Sequence, residues 1–79
     1  MRQELHARIK KAIHEVMRLD ADQYPPDKAL NTIREWDSFN NLMLISKIQE
    51  DFGIQFTAVD IDSIQTIGAL FDAIDKKLS

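Results

Sequence analysis

Apolar residues recur every three or four positions along three stretches of the chain. The segments between them are polar and carry residues that start and stop helices. In residues 2–19, Leu5, Ile9, Ala12, Ile13, Val16 and Met17 share one helical arc, and Arg2, Glu4, Arg8, Lys10, Lys11, Glu15 and Arg18 fill the other side. In residues 38–52, Ile45, Ile48 and Phe52 centre the inward face, with Leu42 and Leu44 on its flanks. Phe39 and Met43 project from the opposite side, on a stripe shared with Ser46 and Glu50. In the last stretch, Ile67, Leu70, Phe71, Ile74 and Leu78 form a third apolar stripe, with Lys76 and Lys77 at the C-terminal end where cations favour the helix dipole.

The segments between helices are read from turn chemistry. Residues 20–36 form a long connection in which Pro25-Pro26 stops the first helix and biases Tyr24 and Pro25 to extended backbone. Loops of this length are packed down by their own apolar residues or are functional. Leu30, Ile33 and Trp36 supply the packing, and a short helical turn is expected around residues 28–33. Gly53 suits a left-handed residue after the second helix. Thr57 caps a brief third helix over residues 58–63, with Ile61 and Ile64 turned inward, and Thr66 caps the last one. No strand alternation or hairpin dipeptide is present. The expected fold is all-α: a small four-helix bundle of up-down-down character with three long helices, one short third helix and a long first loop.

Composition narrows the function. The chain has 79 residues, which is read as one domain, 1–79, with one small core. It has no cysteine and two isolated histidines, so neither a disulfide nor a zinc site is expected, and His6 and His14 read as ordinary surface residues. Asp60-Ile61-Asp62 opens like a calcium loop but fails as one, because Gln65 stands at the glycine position and Phe71 at the closing glutamate position. A net charge of −3 argues against nucleic acid as a partner. No stretch is apolar and long enough for membrane insertion, and no signal-peptide pattern opens the chain, so a cytoplasmic monomer is expected.

The stretch that carries candidate chemistry is Glu35-Trp36-Asp37-Ser38-Phe39, where the long connection meets the second helix. Asp37 and Ser38 are both N-cap residue types, so one reading is that the pair only caps the helix. The other is that Ser38 is an attachment point. A phosphodiester on its hydroxyl would lie at the positive end of the helix, beside free N–H groups. A serine nucleophile acting for itself needs a base, and no histidine falls near it in the expected layout. There is no Gly-x-Ser-x-Gly elbow and no glycine-rich phosphate loop, so the chain is not expected to be an enzyme.

These residues resemble the acyl carrier protein family. Asp37-Ser38-Phe39 stands where the family has Asp-Ser-Leu, and Phe52-Gly53-Ile54-Gln55-Phe56 is similar to its Phe-x-Ile-x-Ile. Ile64-Gln65-Thr66-Ile67 is similar to its Ile-x-Thr-Val before the final helix. The resemblance implies that Ser38, flanked by Asp37, carries 4′-phosphopantetheine installed from coenzyme A by a phosphopantetheinyl transferase. It implies acyl groups held as thioesters and passed between acyl-loading and acyl-transferring enzymes. It also implies an acyl pocket between the second and third helices, for which Leu44, Ile48, Ile61, Ile64 and Phe71 are the candidates.

Departures from the family pattern shape the rest of the expectation. Glu35 stands where the family has glycine, and Trp36-Asp37-Ser38 looks like carriers of specialised pathways and of peptide synthetases. Asn40, Met43, Gln49 and Glu50 occupy docking positions that are acidic in the fatty-acid carrier, and only Glu50 keeps its charge. Partner docking is therefore expected on an apolar face built from Phe39 and Met43, with Glu50 beside it. The leading expectation is a stand-alone acyl carrier for a specialised fatty-acyl, lipid or secondary-metabolite pathway. An aminoacyl or peptidyl carrier is the alternative, and a helical interaction module without an arm is the more distant one.

Overall fold

The computed structural model describes residues 2–79, the side chain of Arg2 excepted. Four α-helices follow in order: α1 (Arg2–Met17), α2 (Ser38–Phe52), α3 (Ala58–Ser63) and α4 (Ile67–Leu78). Two single 3-10 turns, Ala21–Gln23 and Leu30–Thr32, interrupt the long loop, the second inside the stretch expected to turn. Among the described residues there is no β-strand, only one isolated antiparallel bridge between Ala29 and Thr66.

Each long helix buries the stripe that its periodicity marks. Ile9, Ala12, Ile13 and Met17 of α1 meet Leu44, Ile45 and Ile48 of α2 and Ile67, Leu70 and Ile74 of α4, and no polar residue among those described is buried with them. The loop residues Leu30, Ile33 and Trp36 close the core from one end. Polar contacts fix the helix directions. Arg8 of α1 donates to the Asp51 carbonyl at 3.0 Å and lies 4.3 Å over the Phe52 ring, while Lys47 reaches back to Glu15 at 3.7 Å. Residues early in α1 thus meet the end of α2, so the two helices are antiparallel. His6, near the start of α1, meets Asp75 near the end of α4, so that pair is antiparallel as well.

The loop is tied to the start of α4 by backbone hydrogen bonds. Gly68 N–H donates to the Pro26 carbonyl at 2.7 Å, Ile67 N–H to Lys28 at 3.1 Å, and Leu30 N–H to Gln65 at 2.9 Å. Thr66 takes the third free donor of α4, its hydroxyl accepting from Ala69 N–H at 3.1 Å. The N–H groups a helix normally leaves open are therefore met by the loop and the cap. A Cβ at position 68 would sit 3.0 Å from the Pro26 oxygen, tighter than ordinary contact, so glycine lets the loop approach this closely.

Several expectations are corrected. The first helix ends at Met17 rather than Leu19, and the prolines do not stop it. Arg18 turns left-handed at φ 59° and returns its N–H to His14, as glycine does at many helix ends. Leu42 was placed on the inner flank of α2 but is 59% exposed, and Leu78 is exposed past the point where α4 meets the core. Ile61 is only half-buried, because α3 lies on the rim of the bundle and buries no residue fully. His6 is not an isolated surface residue. Its Nε2 lies 3.2 Å from Asp75 Oδ2, and its ring meets Phe71 edge-on at 4.9 Å. His14 remains exposed.

The short helix α3 depends on polar contacts. Thr57 accepts from Asp60 N–H at 3.1 Å, and Asp60 accepts from Thr57 N–H at 2.9 Å, which completes a capping box. Asp60 also pairs with Lys77 of α4 at 2.8 Å. The Lys77 ammonium, and after it the Thr57 N–H, hold the Asp60 carboxyl down to about 2 from its ordinary 3.8. A depressed carboxyl contributes stability above its unfolded pKa and loses it as pH falls through the folded value. Wild type should therefore be more stable than Lys77→Met at pH 5, and the gap should close between pH 3.8 and about 2, read by urea unfolding at each pH. Arg18→Gly should raise stability by about 0.5–1 kcal/mol, because a left-handed backbone costs a residue with a Cβ more than it costs glycine. Arg18→Val should lower the same urea midpoint.

Candidate functional site

The site is set by how the chain enters α2. Trp36 is buried beneath the loop, its N–H bonded to the Ile33 carbonyl at 3.0 Å. Its indole Nε1–H donates to Asn41 Oδ1 at 2.9 Å, across the first turn of the helix. Asp37 follows in extended conformation, at φ −89° and ψ 177°, and is the N-cap: its Oδ1 accepts from Asn40 N–H at 2.8 Å. The Asn40 side chain reaches back to the Glu35 carbonyl at 2.8 Å, which closes the turn.

With Asp37 as cap, Ser38 is the first residue of α2 and has no capping duty. It is exposed, and among the described residues no group bonds its hydroxyl. Of the two N-cap types in the sequence, Asp37 is the one that caps. Ser38 is left free at the positive end of a 15-residue helix.

A cleft of about 260 Å³ opens beside it. Leu30 and Asn31 of the loop form one wall, Trp36, Asp37 and Asn41 another, and Ile64 and Gln65 the third. No histidine, lysine or arginine lines it, and its one charged side chain, Asp37, is engaged as the helix cap by the Asn40 N–H.

The expected docking residues divide. Phe39 is 71% exposed and Met43 is also exposed. Leu42 joins them and makes a wider apolar patch than the sequence led us to expect. Glu50 is exposed beside it. Gln49 is instead half-buried, its Oε1 accepting from Phe56 N–H at 2.8 Å.

The five expected pocket residues also separate. Leu44 and Ile48 are fully buried in the core, and Ile61 is half-buried. Ile64 lines the cleft beside Ser38, whereas Phe71 lines a different cavity of about 310 Å³ with His6, Lys10 and Tyr24. Sequence reasoning missed the cleft's polar lining of Asn31, Asn41 and Gln65. Its one local signal was the step from Trp36 to Asn41, a donor-only side chain five residues before an amide.

Residues 7–74 match the family model described as phosphopantetheine attachment site. The acyl carrier protein of Thermotoga maritima is 27% identical over 77 residues, covering 98% of this chain and 95% of that one. The solution structure of holo acyl carrier protein from Geobacter metallireducens superposes with a TM-score of 0.79 at 25% identity, over 91% of this chain and 83% of that one. The crystal structure of the Thermotoga maritima acyl carrier protein superposes with a TM-score of 0.75 at 23% identity, over 98% and 89% of the two chains.

The cap assignment is open to a direct stability test. Asp37→Ala should cost about 1 kcal/mol through the lost cap. Ser38→Ala should stay within about 0.5 kcal/mol of wild type, as exposed positions without a structural bond do. Urea unfolding of both variants reads the difference.

Proposed function

Because the chain belongs to the phosphopantetheine attachment-site family of acyl carrier proteins, we propose that Ser38 is the residue that carries the arm. The protein is a carrier and not an enzyme, and its prosthetic group is phosphopantetheine. When attached, the group supplies a thiol on which acyl groups are held as thioesters. The observation that carries the assignment to Ser38 is its freedom. The hydroxyl is exposed, bonded to nothing among the described residues, and relieved of capping by Asp37. Attachment there disturbs no core contact, and the phosphate would lie at the positive end of α2. The fit is therefore good on the chain's own side. Asp37 beside it is committed to the helix cap, so the Ser38 proton passes to the transferase that makes the bond, with coenzyme A as donor of the group.

Partners then meet α2. We assign their docking to the exposed patch of Phe39, Leu42 and Met43, with the exposed Glu50 on the same helical stripe. Lys47 is turned away into ion pairs with Glu15 and Asp51, at 3.7 and 3.6 Å. A patch so poor in charge offers little electrostatic steering toward basic surfaces. That supports service to acyl-loading and acyl-transferring enzymes of a specialised fatty-acyl, lipid or secondary-metabolite pathway, by a monomer in the cytoplasm. The aminoacyl alternative is favoured by one observation, the polar lining of the cleft beside Ser38.

Incubation of the apo protein with coenzyme A, magnesium and a broad-specificity phosphopantetheinyl transferase should add the mass of one phosphopantetheine to wild type and none to Ser38→Ala. Intact-mass spectrometry reads both. Modification of the alanine variant would remove Ser38 from the assignment.

A further inference from the structure

The cleft beside Ser38 has a chemistry of its own. Three amide side chains line it, Asn31, Asn41 and Gln65, against the apolar Leu30, Ile64 and the edge of Trp36. Their hydrogen-bonding capacity is only partly used. The Trp36 indole N–H can only donate, so Asn41 must turn its oxygen to it, at 2.9 Å, which leaves the Asn41 NH2 for another partner. Gln65 spends its NH2 on the Asp62 carbonyl at 3.2 Å, which leaves its oxygen as an acceptor. Asn31 is exposed and offers both. Asp37, the only charged residue of the lining, is an anion.

Leu44, Ile48, Leu70 and Ile74 are fully buried in the core and do not line the cleft. The volume of about 260 Å³ also falls below the roughly 300–1,000 Å³ of pockets that enclose drug-sized ligands. An alkyl chain laid in this cleft would strip water from three amides and return no hydrogen bond. A short chain with a hydroxyl or amino substituent would satisfy them, and an ammonium would also meet the Asp37 carboxylate with no cation opposing it.

On the reading that Ser38 bears the arm, we infer that this cleft receives a short acyl load carrying a hydrogen-bonding group, a hydroxyacyl or aminoacyl chain, and not a long alkyl chain. Asn31, Asn41 and Gln65 are the residues that select it.

The test uses the full chain, 15N-labelled and methyl-labelled. A permissive transferase modifies it from coenzyme A, or from the alanyl, 3-hydroxybutyryl or octanoyl thioester of coenzyme A. Intact mass is read first: failure to modify wild type would take down the carrier reading together with this one. In the modified proteins, the alanyl or the 3-hydroxybutyryl load should shift the side-chain amides of Asn31, Asn41 and Gln65 and the Trp36 indole beyond their positions in the unloaded holo form. Whichever of the two does so more strongly names the class. Gln65→Leu, at an exposed position, should lose the load-dependent shift at Asn41 while still taking up the arm. Two results would overturn the inference. One is that the unloaded arm alone produces the full shift, with no further change on loading. The other is that octanoyl moves the same amides equally or moves the methyl signals of Leu44 and Ile48, which would place an alkyl chain in the cleft or in the core.

Discussion

Two carbonyl groups in the long loop hold the molecule's working end in place. Pro26 and Lys28 accept the first N–H groups of α4, and Gln65 returns a carbonyl to Leu30. Those bonds complete a helix terminus that would otherwise need water, and they turn the long connection between α1 and α2 from a loose strap into a fixed wall. Leu30, Ile33 and Trp36 can bury only because the backbone between them is so held. Trp36 in turn sets the point at which the chain enters α2. The place of Ser38 at the surface is thus the last link of a chain of constraints that begins thirty residues downstream, at Gly68, where a Cβ would press on the Pro26 carbonyl.

The site illustrates a division of labour between adjacent residues. Asp37 does the structural task its residue type suits, accepting the Asn40 N–H, and so frees Ser38 from it. Had Ser38 been the cap, its oxygen would have been committed to the first turn and any group on it would have competed with the helix. The Trp36 indole makes a similar separation one turn further on, by fixing which end of the Asn41 amide faces the cleft.

Much of the fold was legible because it is written locally. The i, i+3, i+4 stripes gave the three long helices, and Thr57, Thr66 and Gly53 marked ends that the structure keeps. The misreadings share a cause. Leu42 sits on the boundary of its helical wheel, and only the position of α1 and α4 decides which side of the boundary is covered. His6 and Asp75 are sixty-nine residues apart, so no spacing rule could pair them. Arg18 takes a backbone conformation its type disfavours, and the prolines downstream offered a more conventional stop. Ser38 itself was legible as one of two cap candidates. The choice between them required seeing which oxygen faced the Asn40 N–H. The polar cleft was not legible, because its three amides come from the loop, from α2 and from the turn before α4.

The unengaged hydroxyl of Ser38 bears on how partner enzymes tell one form of a carrier from another. A group attached at a position that contributes no bond to the fold leaves the free energy of folding nearly where it was. Bare and modified forms then share one conformational well, and neither is marked by a change in the shape of the domain. On the proposed assignment of the arm to Ser38 and of docking to α2, a partner that must distinguish them has only the arm and its load to read, so the α2 surface serves as a constant address while the information travels on the tether.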